Sequence, residues 1–163
     1  MTITEEEIWQ CLETVSDPEI PVLSIVDLGI VRTVQIKNDN AEISITPTYS
    51  GCPAIGVIGL NIIAALEEKY SGHFSVKTVL SPPWTTDWMS ESGKQKLRDY
   101  GIAPPVPKST EDNGLFADDV IVECPQCQSS DTTLISWFGS TACKALYKCN
   151  KCLEPFDYFK CHR

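Results

Sequence analysis

The sequence predicts an α+β protein in two parts, a small two-layer α-β-β-α-β domain followed by a compact four-cysteine ribbon. Three observations carry that prediction. Apolar residues recur with a helical period, alternate through two strands, return to a helical period and alternate once more before Leu80. Six of the eight cysteines fall in the last forty residues and include two C-x-x-C pairs. Between the two parts runs a stretch rich in proline (Pro104, Pro105, Pro107), then small and acidic, without periodicity. The expected division is a first domain over 1–102, a linker over 103–119 and a ribbon over 120–163.

Composition narrows the function classes. A chain of 163 residues allows one domain and a small appendage, and 42% apolar residues are enough for a packed core. The formal net charge of -9 argues against nonspecific binding to nucleic acid or an anionic membrane. No apolar run reaches the ~18 residues of a membrane span. Met1 to Glu7 is acidic, so no secretory signal is expected, and eight cysteines then fit a reducing, cytoplasmic setting in which clustered thiols bind metal.

The elements follow in order. Thr4 and Glu7 form a capping box, and Ile8, Cys11, Leu12 and Val15 make the buried stripe of a first helix, which assigns Cys11 to the core. Pro18 stops the helix. Asp17, Glu19 and Asp27 then crowd three carboxylates into a proline-stiffened loop, which taken alone reads as a solvated turn. Gly29 to Thr46 alternates about an Asn38-Asp39-Asn40 turn, a β-hairpin. Ile55, Ile58, Ile62 and Leu66 mark a second helix, expected to end near Ser71 with Gly72 as its left-handed cap. Phe74 to Leu80 is a third strand. Trp84 and Trp88 follow in an irregular segment where packing is the default reading, and Ser90 caps a helix closed by Gly101. His73 lies in a turn with no candidate partner.

One cysteine stands apart from these patterns. In Thr46-Pro47-Thr48-Tyr49-Ser50-Gly51-Cys52-Pro53-Ala54 the thiol sits where a turn hands over to a helix, with Pro53 suited to the first helical position. Unpaired N–H groups and the helix dipole there should lower the pKa of Cys52 and make it a metal or cluster ligand. The alternative is a buried cysteine acting as a small apolar plug.

The tail carries the strongest motif. Cys124-Pro125-Gln126-Cys127 and Cys149-Asn150-Lys151-Cys152 are separated by twenty-one residues, with β-prone runs between and after them. Each pair closes a knuckle, and two knuckles make a tetrahedral thiolate cage, so Cys124, Cys127, Cys149 and Cys152 are assigned to a structural zinc. The same cage could hold a rubredoxin-type iron or act as a dithiol pair. Lys144, Lys148, Lys151 and Lys160 offer one basic edge for phosphate, against the charge of the chain as a whole. Cys143, in a small-residue turn beside Lys144, reads as either an exposed thiol of lowered pKa or an ordinary cysteine, and Cys161 beside His162 is the other cysteine outside the cage.

These residues also resemble known families. Asp17-Pro18-Glu19, Asp27-Leu28-Gly29, the Thr46 to Ala54 stretch and Pro83-Trp84-Thr85 look like the iron–sulfur-assembly domain of SufT-type and cytosolic iron–sulfur targeting factors. Ser140 to Tyr147 and Glu154 to Cys161 resemble the PaaD (PaaJ) family of bacterial phenylacetate degradation. The likeness runs from about Ile8 onward apart from the linker, and departs at His162-Arg163, where the family carries an apolar residue. It implies a non-catalytic accessory factor of the phenylacetyl-CoA 1,2-epoxidase, a ring monooxygenase, assisting iron–sulfur maturation of the reductase component. Carried over residue by residue, Cys52 matches the family's reactive cysteine, and Asp17 and Glu19 match its acidic loop partners. On that reading Cys52 holds iron or a cluster transiently, joined by Cys143, Cys161 or a cysteine of a second chain in a homodimer. The rival expectation is a stoichiometric structural subunit of the monooxygenase, held by the Trp84/Trp88 surface and the ribbon.

Overall fold

The computed structural model describes residues 3–37, 40–106 and 120–160. Asn38-Asp39 of the hairpin turn, residues 107–119 of the linker, and Cys161 with His162 and Arg163 lie outside the described residues. The chain divides into two compact units, Met1–Gly93 and Lys94–Cys161.

The first unit begins with α1 (Glu5–Leu12), whose capping box is present in full: Glu7 N–H donates to the Thr4 hydroxyl, and Thr4 N–H donates to the Glu7 carboxylate at 2.8 Å. A sheet of β1 (Val31–Lys37), β2 (Asn40–Ile45) and β3 (His73–Thr78) follows, with α2 (Ala54–Lys69) between its second and third strands. The strand order is β1-β2-β3, β1 and β2 antiparallel and β2 and β3 parallel. This is the predicted two-layer sandwich, with α1 packed on β1 and α2, and α2 packed on β3. Ile8, Leu12, Ile43, Ile45, Ile58, Ile62 and Leu66 are fully buried at its centre, and burying such side chains is the main favourable term in folding.

Two local expectations need correction. The helix α2 ends at Lys69 with Tyr70 already extended, and Gly72 is not in the left-handed region, so the strand and not a glycine cap ends it. The acidic loop is not a solvated turn. Asp17 is buried, its Oδ1 accepting from Glu19 N–H and Ile20 N–H at 2.8 Å each, while Ile20, Leu23, Ile25 and Leu28 enter the core. The tryptophans pack as expected: Trp84 is buried and donates its indole N–H to the Leu28 carbonyl at 3.0 Å, and Arg32 stacks over Trp88 at 3.5 Å.

The second unit takes most of α3 (Glu91–Tyr100) and a four-stranded sheet ordered β4-β7-β6-β5, from β4 (Ile102–Ala103), β5 (Thr132–Ser136), β6 (Lys144–Cys149) and β7 (Pro155–Phe159). Ala103, expected to open the linker, is instead a strand residue paired with Tyr158. The core here is aromatic, with Tyr147 stacked on Phe156 at 5.9 Å and edge-on to Tyr158 at 5.6 Å.

Gly29 fixes the entry to β1. It has φ +73, and an added Cβ would lie 2.2 Å from the Trp88 carbonyl oxygen. Gly29→Ala is therefore expected to cost on the order of 2–3 kcal/mol, from left-handed strain and a backbone clash together. Urea unfolding checks this; a loss under about 0.5 kcal/mol, the size of an ordinary surface change, would show that the loop yields instead.

Candidate functional site

Cys52 lies one residue before Pro53, the cap of α2, and is half-buried. Pro53 stands just outside the first helical turn, one position earlier than expected. The local donors are there: backbone N–H groups of Ala54 and Ile55 hydrogen-bond the sulfur and pull the thiol pKa down. They do not win. Burial is the largest influence and pushes the Cys52 pKa up, and the negative charges of Glu19 and Asp17 push it the same way. The net shift is upward, opposite to the lowering expected from a helix start alone. The structure thus brings Cys52, Glu19 and Asp17 within electrostatic reach of one another, a thiol held protonated at neutral pH beside two carboxylates.

The ribbon cysteines make a different kind of site. The sulfurs of Cys124, Cys127, Cys149 and Cys152 all lie within 4.8 Å of one another, with Cys124–Cys152 at 3.7 Å and Cys127–Cys149 at 3.5 Å. Tetrahedral coordination with Zn–S bonds of about 2.3 Å requires sulfurs roughly 3.8 Å apart, so these residues fit a zinc ion. The two knuckles are built alike. Cys124 N–H donates to the Ser129 carbonyl at 3.0 Å and Cys149 N–H to the Glu154 carbonyl at 2.9 Å, five residues on in both cases. The residue after each second cysteine, Gln128 (φ 61) and Leu153 (φ 69), adopts the left-handed conformation. The Cys152 N–H, then that of Lys151, lower the Cys149 thiol to about 6. Cys152 receives a lowering contact from Glu154 N–H, yet burial and the neighbouring sulfurs push it up to about 12. Four sulfurs so close cannot all ionise without a cation among them; a bound zinc would hold all four as thiolates and leave no open position.

Residues 108–160 match the family described as the PaaD zinc β-ribbon domain, and residues 5–79 match the iron–sulfur cluster assembly protein family. A protein of Escherichia coli (strain K12), whose name makes it a candidate subunit of 1,2-phenylacetyl-CoA epoxidase, is 51% identical over 159 residues, covering 95% of this chain and 92% of the relative. The chain belongs to the PaaD family. An Fe–S protein maturation auxiliary factor of Porphyromonas gingivalis (strain ATCC BAA-308 / W83) is 37% identical over 97 residues, 58% of this chain and 90% of that protein. The crystal structure of a domain of unknown function (DUF59) from Bacillus anthracis matches with a TM-score of 0.54 at 35% identity, over 57% of this chain and 90% of that one.

The remaining expectations for this PaaD-family chain fall out unevenly. Cys143 is buried rather than exposed, its sulfur 3.0 Å from the Thr141 hydroxyl. Cys161 lies outside the described residues. The basic edge does not form as expected, because Lys144 is buried with its ammonium 3.8 Å from Asp157, and Lys160 donates to the Trp137 carbonyl at 2.7 Å. Three features take a role that the sequence did not show. Gln128 and Leu153 gave no sign, since glycine is the residue that marks a left-handed position. Asp27 proves to be a clamp, its Oδ1 accepting from the Ser90 hydroxyl at 2.7 Å. Thr46 is buried with no hydrogen-bond partner for its hydroxyl among the described residues.

Two outcomes follow for solution measurements. Alkylation of Cys52 should be slow at neutral pH and rise with a midpoint above the ordinary thiol value of 9.0, and Glu19→Gln should lower that midpoint by removing a negative charge from beside the thiolate. Rates against pH, with the alkylated cysteine identified by mass spectrometry, decide it; an unmoved midpoint in the variant would remove Glu19 from the site. Zinc should be recovered at one ion per chain, and Cys127→Ser should abolish it and unfold the second unit while the first keeps its hydrogen-exchange protection.

Proposed function

We propose that this chain is an accessory factor of the phenylacetyl-CoA epoxidase system in phenylacetate catabolism, assisting iron–sulfur maturation of its reductase component. The 51% identical relative supports the system, and the matched assembly family supports the kind of work. One observation carries the mechanism: Cys52 is a single half-buried thiol that feels the negative charges of Glu19 and Asp17.

That arrangement suits handling of a metal cargo more than storage. Among the described residues the ribbon cysteines are the only group of three or more potential ligands close enough to share an ion, so Cys52 is not part of a ready-made cage. One thiolate per chain holds iron or a cluster only while donor or client supplies the other ligands. The carboxylates favour approach of a cation, and the arriving iron takes the place of the thiol proton, which leaves to solvent. Asp17 has Oδ1 committed to backbone N–H groups, so its part is to shape the loop and supply charge. The ribbon, closed around its own metal, is the part suited to docking a client.

Reconstitution of the reductase component with wild-type protein and with Cys52→Ala tests this. The variant should keep its fold and its zinc, yet leave the client with several-fold lower cluster occupancy by absorbance and iron analysis. Equal maturation by the variant overturns the role of the thiol. The name of the Escherichia coli relative also admits a stoichiometric subunit; co-purification at fixed ratio with the oxygenase components would favour that reading, and transient capture by the reductase alone would favour maturation.

A further inference from the structure

Helix α2 presents apolar side chains to solvent as well as to the core. Residues 54–66 include no charged side chain and one polar one, Asn61. Ile58, Ile62 and Leu66 are buried, whereas Val57 is 47% exposed and Leu60 69% exposed, with Gly56 and Ala64 exposed beside them. The other helices give water a polar surface, α1 through Glu6 and Gln10 and α3 through Gln95 and Lys96. A helix that is apolar on every side belongs in an interior, so the outer stripe of α2 is a surface to be covered. Its relief suits another helix. Leu60 stands out as a ridge, and the small residues Gly56 and Ala64, four positions before and after it, leave hollows in the same row. An added Cβ at Gly56 would meet nothing within 4 Å.

Charge selects the partner. All of the chain's net charge of -9 falls in residues 1–93, where thirteen Asp and Glu outnumber four Lys and Arg. Carboxylates bracket the stripe. Glu67 and Glu68, both exposed, follow Ala64 at its C-terminal end, where Lys69 is the only cation of α2. The acidic first turn of α1, Glu5 to Glu7, comes to the same end, because the Tyr70 hydroxyl donates to the Glu7 carbonyl at 3.3 Å. At the N-terminal end the charges of Glu19 and Asp17 reach Cys52, two residues before the helix. A second copy laid on this face would set carboxylates against carboxylates, whichever way it ran. We propose that the outer face of α2 docks an amphipathic helix of another protein, its apolar stripe packed over Leu60 and its flanks carrying Lys or Arg. Such a helix, lying along Val57, Leu60 and Ala64, has one end beside Cys52. The surface is distinct from the ribbon and does not depend on what the thiol carries.

The probe is a synthetic peptide of about 20 residues, long enough to be helical in water, with a leucine stripe at helical spacing and lysines on its flanks. Two controls change one property each: glutamates replace the lysines, or glutamines replace the leucines. Binding to the zinc-loaded full chain is followed by fluorescence anisotropy and by two-dimensional NMR at the amides of α2. The basic probe should saturate with shifts centred on Val57 to Ala64, and both controls should bind far more weakly. Leu60→Gln, at an exposed position, should weaken the probe at least about ten-fold, the loss of one leucine from the contact. Glu67→Lys together with Glu68→Lys should weaken the basic probe and strengthen the glutamate-flanked control, which a merely loosened helix would not do. Cys52→Ala should bind the probe as wild type does, so a failed role for the thiol and a failed surface are told apart. Binding that Leu60→Gln leaves unchanged, or equal binding of the glutamate-flanked peptide, would overturn the proposal. So would a chain that sediments as a dimer and becomes a monomer in Leu60→Gln, because the face would then belong to a second copy.

Discussion

Much of the first unit depends on a loop that has no regular secondary structure and is nevertheless interior. Between α1 and β1 the chain must bury Ile20, Leu23, Ile25 and Leu28, and it must find partners for the backbone that goes in with them. Carboxylates solve much of this. Asp17 caps the N–H groups of Glu19 and Ile20, its own N–H reaches the Leu23 carbonyl at 2.9 Å, and Ile25 N–H reaches the Val15 carbonyl at 2.9 Å. At the far end Asp27 holds Ser90 twice, by side chain to the hydroxyl and by its carbonyl to the N–H at 2.9 Å. Trp84 then closes over the Leu28 carbonyl. The acidic residues that reach Cys52 electrostatically are thus placed by the same bonds that let the loop enter the core. Losing Asp17 would remove both, which is why Glu19 is the cleaner probe of charge at the thiol.

The second unit is organised around sulfur and aromatic rings. Its sheet buries Tyr147, Phe156 and Tyr158 beside Cys124 and Cys149, so two of the four metal-binding sulfurs belong to the core and two, on Cys127 and Cys152, reach the surface. Metal and core are then one cooperative structure. The strained residues Gln128 and Leu153 cost of order 1 kcal/mol or more each, and they persist because the cage over-determines the knuckles.

Spacing in the sequence was enough for the cage, the capping box and the α-β-β-α-β order, because each rests on local chemistry or on a period. What escaped it depends on tertiary context. Asp17-Pro18-Glu19 has the composition of an exposed turn, and only the apolar residues around it explain why Asp17 is buried. The helix start at Cys52 correctly foretold two N–H donors to the sulfur, but their effect is exceeded by burial and by carboxylates more than thirty residues earlier in the chain. Lys144 reads as surface charge until Asp157 is brought to it across the sheet. Ala103 reads as linker because two strand residues carry no period. Thr46 reads as the last residue of the hairpin, and nothing local shows that its hydroxyl would be enclosed without a partner.

The raised pKa of Cys52 bears directly on what the residue can do. A thiol built for attack on electrophiles gains from a lowered pKa, since the thiolate is the nucleophile. Here burial first, then Glu19 and Asp17, raise the Cys52 pKa and so favour the protonated thiol at neutral pH. The same carboxylates reverse their effect when the incoming species is a cation. They then stabilise the bound state, and the metal itself drives the proton off sulfur, as coordination does for thiols generally. On the proposed carrier role, a single thiolate with no further ligands gathered around it among the described residues would release its cargo to a client that offers more. In that role, burial with Glu19 and Asp17 would keep the proton on Cys52 until a cation arrives, and the lack of further ligands around it would favour release.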